Sequence, residues 1–153
     1  MQALGKHLLV ELHGCSPELL KRTEMVKEIL LSAAKVCKAT VVDLAFHEFS
    51  PFGVSGVVVI AESHLSIHTW PEYRYAAVDI FTCGDAITPE EAADYIANRF
   101  KCKDPTIIHI KRGIIQTASG RTGKLSHKMP QGKASPSASS EAKDAHQELS
   151  LVY

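Results

Sequence analysis

A two-layer α+β sandwich is the fold this sequence predicts, a mostly antiparallel sheet with two helices on one face in the order β-α-β-β-β-β-α-β. Three observations carry that expectation. Four β-compatible segments follow one another between residues 40 and 83, joined by links of two to four residues. A parallel crossover needs a dozen or more residues, so links this short join antiparallel neighbours. Two helical segments flank the strands, each opened by a hydroxyl residue and a proline, Ser16-Pro17 and Thr88-Pro89. Helices covering one face of an antiparallel sheet give the two-layer architecture.

The elements can be justified in order. Residues 5–12 read as a strand, His7-Leu8-Leu9-Val10-Glu11-Leu12 being β-compatible and ending at Gly14. Ser16-Pro17-Glu18 then supplies a cap, a proline at the first helical position and an acid in the first turn. Leu19, Thr23, Val26, Leu30, Ala33 and Cys37 recur every three or four residues, predicting one amphipathic helix to about residue 38. Strands are expected over residues 40–49, 54–61, 64–70 and 75–83. Their links are Ser50-Pro51-Phe52-Gly53, Glu62-Ser63 and Pro71-Glu72-Tyr73-Arg74. Thr88-Pro89-Glu90-Glu91 opens the second helix, which runs through Ala92, Ala93, Tyr95, Ile96 and Phe100, and residues 105–115 form a last strand.

Composition narrows the function. A chain of 153 residues suits one domain with a real core. Lys+Arg and Asp+Glu both number 17, so the formal net charge is zero. This argues against nucleic-acid and anionic-membrane partners, which favour a basic surface. The N-terminus shows no signal-peptide pattern, and the longest apolar stretch, residues 57–61, is far too short to span a bilayer. Cys15, Cys37, Cys83 and Cys102 form no C-x-x-C pair. Reduced thiols and a cytoplasmic location are therefore expected. The folded domain is expected over residues 1–118. Residues 119–153, with seven serines, mixed charge and no periodicity, read as a disordered polar tail.

The chemistry concentrates in Glu62-Ser63-His64-Leu65-Ser66-Ile67-His68-Thr69-Trp70-Pro71-Glu72 and Asp79-Ile80-Phe81-Thr82-Cys83-Gly84-Asp85. Polar groups are costly in strands that pack on a core, so such a cluster points to function. Alternation puts His64, Ser66, His68 and Trp70 on one face, and Tyr75, Ala77, Asp79, Phe81 and Cys83 share a face of the next strand. An antiparallel pair turning at residues 71–74 could bring serine, histidine and cysteine into one pocket. A His64/His68 metal site is disfavoured, because four residues along a strand span roughly 13 Å. A Cys83–His68 nucleophile pair oriented by Asp79 is chemically allowed. A Ser63–His68 hydrolase lacks the G-x-S-x-G elbow. Taken singly, each residue is better explained by a structural role: His68 as a satisfied core histidine, Cys83 as a buried hydrophobe and Ser63 as a turn residue.

Together, these residues closely resemble the short prokaryotic form of S-adenosylmethionine decarboxylase, a pyruvoyl-dependent family. The resemblance extends over roughly residues 4–115 and includes Gly5-Lys6-His7-Leu8 and Phe49-Ser50-Pro51-Phe52-Gly53-Val54-Ser55-Gly56. The tail lies outside it. The resemblance implies a proenzyme that cuts itself between Glu62 and Ser63 into a β chain, 1–62, and an α chain, 63–153. It assigns Ser63 as the pyruvoyl precursor that forms a Schiff base with the substrate, doing what pyridoxal phosphate does elsewhere. His68 becomes the proton acceptor in processing, Ser55 its assistant and Cys83 the proton donor in decarboxylation. A thiol with a reference pKa of about 8.5 can donate near neutrality.

Binding roles also follow from the resemblance: Phe49 stacks on adenine, Glu72 holds the ribose hydroxyls, and Glu11 is a weaker candidate. The implied substrate is S-adenosylmethionine, its product the aminopropyl donor for spermidine synthesis. The implied assembly is a homodimer with active sites at the interface, and no metal is called for. Two other readings remain open, a pyruvoyl-dependent arginine decarboxylase and a catalytically silent regulatory homologue.

Overall fold

The computed structural model describes residues 3–61, 63–83 and 86–114. The expected disordered tail and the expected cleavage partner Glu62 lie outside the described residues. Six strands form one sheet: β1 (Ala3–His13), β2 (Val41–Glu48), β3 (Val54–Ile60), β4 (Ser63–Trp70), β5 (Tyr75–Cys83) and β6 (Asp104–Ile114). Their order is β2-β3-β4-β5-β1-β6, and every neighbouring pair is antiparallel. β2 to β5 follow one another as the short links require. β1 is inserted between β5 and β6, so β1 and β2 run in one direction and β5 and β6 in the other. Strands sharing a direction need crossovers, and the helices supply them.

The first crossover departs from the expected single helix. It consists of α1 (Pro17–Leu20) and α2 (Thr23–Val36), separated by Arg22 in an extended conformation. A core hydrogen-bond relay accounts for the break. The Val54 N–H donates to Thr69 Oγ1 (2.8 Å), and the Thr69 hydroxyl donates to the Leu20 carbonyl (2.8 Å). The Leu20 carbonyl is thus satisfied outside the helix, and two otherwise orphaned backbone groups meet one buried hydroxyl. The second crossover, α3 (Pro89–Arg99), starts at the expected proline. Neither Ser16 nor Thr88 makes the side-chain cap bond expected of it; Pro17 and Pro89 open the helices, their fixed φ suited to the first turn and their missing N–H one that has no partner within the helix.

All three helices cover one face of the sheet. Leu8, Val10, Leu12, Val58, Ile60, Leu65, Ile67, Val78 and Ile80 point into that layer against Val26, Ile29, Leu30, Ala33, Ala92, Ala93 and Ile96. Gly56 leaves room on this face for the Phe46 ring, which a Cβ there would overlap. Phe100, which ends α3, is the largest fully buried side chain. Truncating it leaves a cavity, so Phe100→Ala should cost about 3–5 kcal/mol, read as a lowered midpoint in thermal unfolding. A midpoint unchanged from the parent would place Phe100 outside the core.

Among the described residues the opposite face carries no helix. It displays Ser55, Val57 and Val59 on β3, His64, Ser66, His68 and Trp70 on β4, and Tyr75, Ala77, Asp79, Phe81 and Cys83 on β5. Ile108, Ile110 and Ile114 of β6 are exposed beside them.

Candidate active site

The uncovered face holds Ser55, His68, Glu11 and Cys83, and the residues singled out from the sequence gather at two separate ends of the sheet. At one end β3 begins and β4 finishes. Ser55 and His68 are direct cross-strand partners, with the Ser55 hydroxyl 2.6 Å from His68 Nδ1. Trp70 lies beside His68, stacks on Tyr75 at 5.4 Å between centroids, and Tyr75 stacks on His13 at 4.9 Å. Register explains this row, because Trp70 pairs with Tyr75 and Tyr75 with His13. Phe49 leaves β2 at the same end, half exposed and edge-on to His47 at 4.7 Å. Glu72 sits exposed on the single 3-10 turn Pro71–Tyr73 that follows β4. Glu11 is half-buried and accepts a hydrogen bond from the Tyr75 hydroxyl. Burial first, then the neighbouring Glu11 carboxylate, pushes that hydroxyl up to about 12.

Ser63 and Cys83 occupy the other end. Ser63 is the first residue of β4 rather than part of the turn. Its Oγ is buried and has no hydrogen-bond partner among the described residues. Cys83 ends β5, two residues beyond Phe81, which pairs with His64. Across from Cys83 on β1 stands Gly5. A Cβ there would come 2.7 Å from the Thr82 carbonyl oxygen and 3.2 Å from Cys83 Sγ. Gly5 therefore clears the space in which the thiol lies. Sequence reading noted Gly5 without giving it a role, although a glycine inside a strand signals close approach by another group.

Between the two ends runs a polar line. Arg112 Nη1 donates to His7 Nδ1 at 3.0 Å, which leaves the proton of neutral His7 on Nε2. That nitrogen is 3.4 Å from Asp79 Oδ1 but not aligned for a hydrogen bond. The Ser66 hydroxyl donates to Asp79 Oδ2 at 3.1 Å. Asp79 is thus engaged with Ser66 and His7, and the Cys83–His68–Asp79 triad is not assembled. No group of three or more His, Cys, Asp or Glu among the described residues could hold a metal ion.

The separation of the ends corrects the expectation of one pocket. His68 is five residues along β4 from Ser63, roughly 16 Å at the rise of a strand. Alternation also turns Ser63 toward the face opposite to that of His68. Within one chain the serine and the thiol share an end; the histidine, its serine partner, Phe49 and Glu72 share the other.

Residues 6–113 match the model of the family described as S-adenosylmethionine decarboxylase. The chain belongs to the S-adenosylmethionine decarboxylase family. An S-adenosylmethionine decarboxylase proenzyme of Thermodesulfovibrio yellowstonii is 56% identical over 153 residues, covering 100% of both chains. That of Acetivibrio thermocellus is 50% identical over 116 residues, covering 76% of this chain and 94% of its own. The first alignment runs through residues 119–153, so the tail is not peculiar to this member of the family. The crystal structure of the adenosylmethionine decarboxylase from Aquifex aeolicus superposes with a TM-score of 0.73 at 37% identity, covering 79% of this chain and 100% of that one. No helix among the described residues is long and apolar enough to cross a membrane.

Proposed function

We propose that this protein is a self-processing, pyruvoyl-dependent decarboxylase of S-adenosylmethionine, working in the cytoplasm as a carboxy-lyase that supplies aminopropyl groups for spermidine. The observation that carries this reading is the Ser63 hydroxyl, buried, without a partner among the described residues, and at the start of β4 beside position 62. An unsatisfied buried hydroxyl is costly to keep and asks for a functional explanation. An acyl shift gives it one.

Ser63 Oγ attacks the carbonyl carbon of Glu62, and the peptide bond becomes an ester with a free α-amine on residue 63. Ser55 donates a hydrogen bond to the oxyanion formed on the way. His68 then takes the proton from the Ser63 α-carbon, and the ester breaks by β-elimination, releasing the carboxylate that ends residues 1–62. The dehydroalanine left at position 63 tautomerises, takes up water and loses ammonia, which leaves a pyruvoyl group. Its carbonyl supplies the electron sink for decarboxylation. Cys83, held over Gly5 at the same end as Ser63, returns a proton to the substrate α-carbon. The exposed Phe49 ring suits a purine face and, by cation–π attraction, a sulfonium. Glu72, exposed two residues beyond Trp70, suits ribose hydroxyls.

This division of labour needs two copies of the chain. The roughly 16 Å between Ser63 and His68 is too far for direct proton transfer. A twofold axis lying across the strands would stack two uncovered faces and reverse one against the other. The end of β4 where Ser63 begins, with Cys83 beside it, would then lie over Ser55, His68, Phe49 and Glu72 of the partner. The apolar residues left uncovered on this face, among them Val59, Trp70, Ile108 and Ile110, favour such burial.

Intact-mass analysis of the purified protein should find two chains, the larger blocked to N-terminal sequencing. Carbon dioxide release should be fast from S-adenosylmethionine and at background from arginine; the reverse preference would overturn the substrate assignment. Cys83→Ala should still cut itself while decarboxylation falls by about 10²–10⁴-fold. Equal loss of both activities would refute the separate role of the thiol.

A further inference from the structure

Cys15 and Cys102 have no part in this chemistry, yet they are placed together. Cys15 follows the turn at Gly14 and is fully buried, its Sγ donating to the Leu12 carbonyl at 3.6 Å. Cys102 follows α3 and is half-buried, its Sγ donating to the His13 carbonyl at 3.2 Å. The two thiols thus address consecutive carbonyls at the end of β1, which places them on the same short stretch of backbone.

Both backbones are pinned. The Ser16 N–H donates to the Phe100 carbonyl at 2.9 Å and the Lys103 N–H to the His13 carbonyl at 3.0 Å. These bonds tie the two cysteine segments to each other. The Cys15 N–H donates to the Arg74 carbonyl and the Cys102 N–H to the Ala97 carbonyl, each at 2.9 Å. Cys37, by contrast, bonds the Ala34 carbonyl of its own helix.

We infer that Cys15 and Cys102 are a latent dithiol that peroxide closes to a disulfide, a covalent tie between residues 1–62 and residues 63–153. The part-exposed Cys102 is the thiol that peroxide reaches. Its sulfur takes one oxygen to become a sulfenic acid, and water leaves. The Cys15 sulfur then attacks the Cys102 sulfur, gives up its proton and expels a second water. In sum, two thiols and one hydrogen peroxide give one disulfide and two waters. Burial, reinforced by the adjacent Cys102, pushes the Cys15 thiol up to about 12. So little thiolate at neutral pH makes the second step slow, and it should quicken as pH rises. The pair stays reduced until an oxidant is sustained.

The electrophoretic readout rests on the proposed cut after residue 62. Full-length enzyme is treated with hydrogen peroxide at pH 8.5, quenched with iodoacetamide, and run with and without reductant. Oxidised protein should migrate as one joined species without reductant and as two chains with it, and peptide mapping should recover Cys15 linked to Cys102. Cys102→Ala should give two chains in both lanes. Chains that separate without reductant after oxidation, a Cys102 sulfinic acid with no linked peptide, or a link that persists in Cys102→Ala would each overturn the inference. One 153-residue chain in the reducing lane would defeat the processing proposal alone. The disulfide is then decided by a mass loss of about 2 Da and by the linked peptide.

Discussion

Ser63→Ala is expected to leave a single 153-residue chain, with decarboxylation at background, a loss on the order of 10⁶-fold or more. In the proposed mechanism no other side chain can compensate, since the serine would provide the attacking oxygen and its own carbon skeleton would become the reactive carbonyl. The fold should be indifferent to the change. Ser63 Oγ has no hydrogen-bond partner among the described residues, so deleting it strands no donor or acceptor there, and stability should move by less than about 1 kcal/mol. Intact mass and thermal unfolding of the same preparation separate the two effects. Two chains from Ser63→Ala would refute the acyl shift. One chain from a protein that has also lost its fold would point to a structural serine.

Mixed protomers give the second large effect. His68→Ala alone should be cut very slowly and Ser63→Ala not at all, because each lacks one half of every site. Coexpressed, they should form mixed dimers in which one site combines an intact Ser63 with an intact His68 from the other subunit. Cleavage and decarboxylation should return in those dimers alone, and only the His68→Ala chain should be cut. The prediction stems from the strand register. His68 pairs with Ala77 and Ser55, whereas Ser63 begins β4 five residues away. If the two variants fail to complement while dimers form, the histidine and serine must work within one chain, and the proposed stacking of sheet faces is wrong.

Much of this was legible in the sequence because it depends on local pattern. The period-two alternation in β4 and β5 named the uncovered face correctly, and the short links gave the antiparallel order of β2 to β5. Pro17 and Pro89 marked the helix starts. What stayed hidden depends on contacts distant along the chain. The break between α1 and α2 arises from Thr69, whose hydroxyl reaches the Leu20 carbonyl 49 residues away, and helical periodicity cannot register it. The insertion of β1 between β5 and β6 is likewise invisible to neighbour-by-neighbour reading. At the candidate site, residue types were readable but their grouping was not. An antiparallel pair turning at residues 71–74 suggested one pocket for Ser63, His68 and Cys83. Strand rise separates the histidine, and Asp79 is taken by Ser66 and His7.

The insertion of β1 also decides what the proposed cut would mean for the molecule. Residues 1–62 hold β1, β2 and β3, and residues 63–153 hold β4, β5 and β6. In the sheet these two sets are interleaved, with β1 clasped between β5 and β6 while β3 borders β4. After scission the pieces are an intertwined heterodimer whose shared surface is the hydrophobic core itself. Three strand interfaces must open before they part. Refolding after denaturation would then be a second-order encounter of two fragments, slowing with dilution, where the uncut precursor folds alone. Folding before cutting is thus the order this topology favours, and breaking one peptide bond removes almost nothing that holds the sheet together.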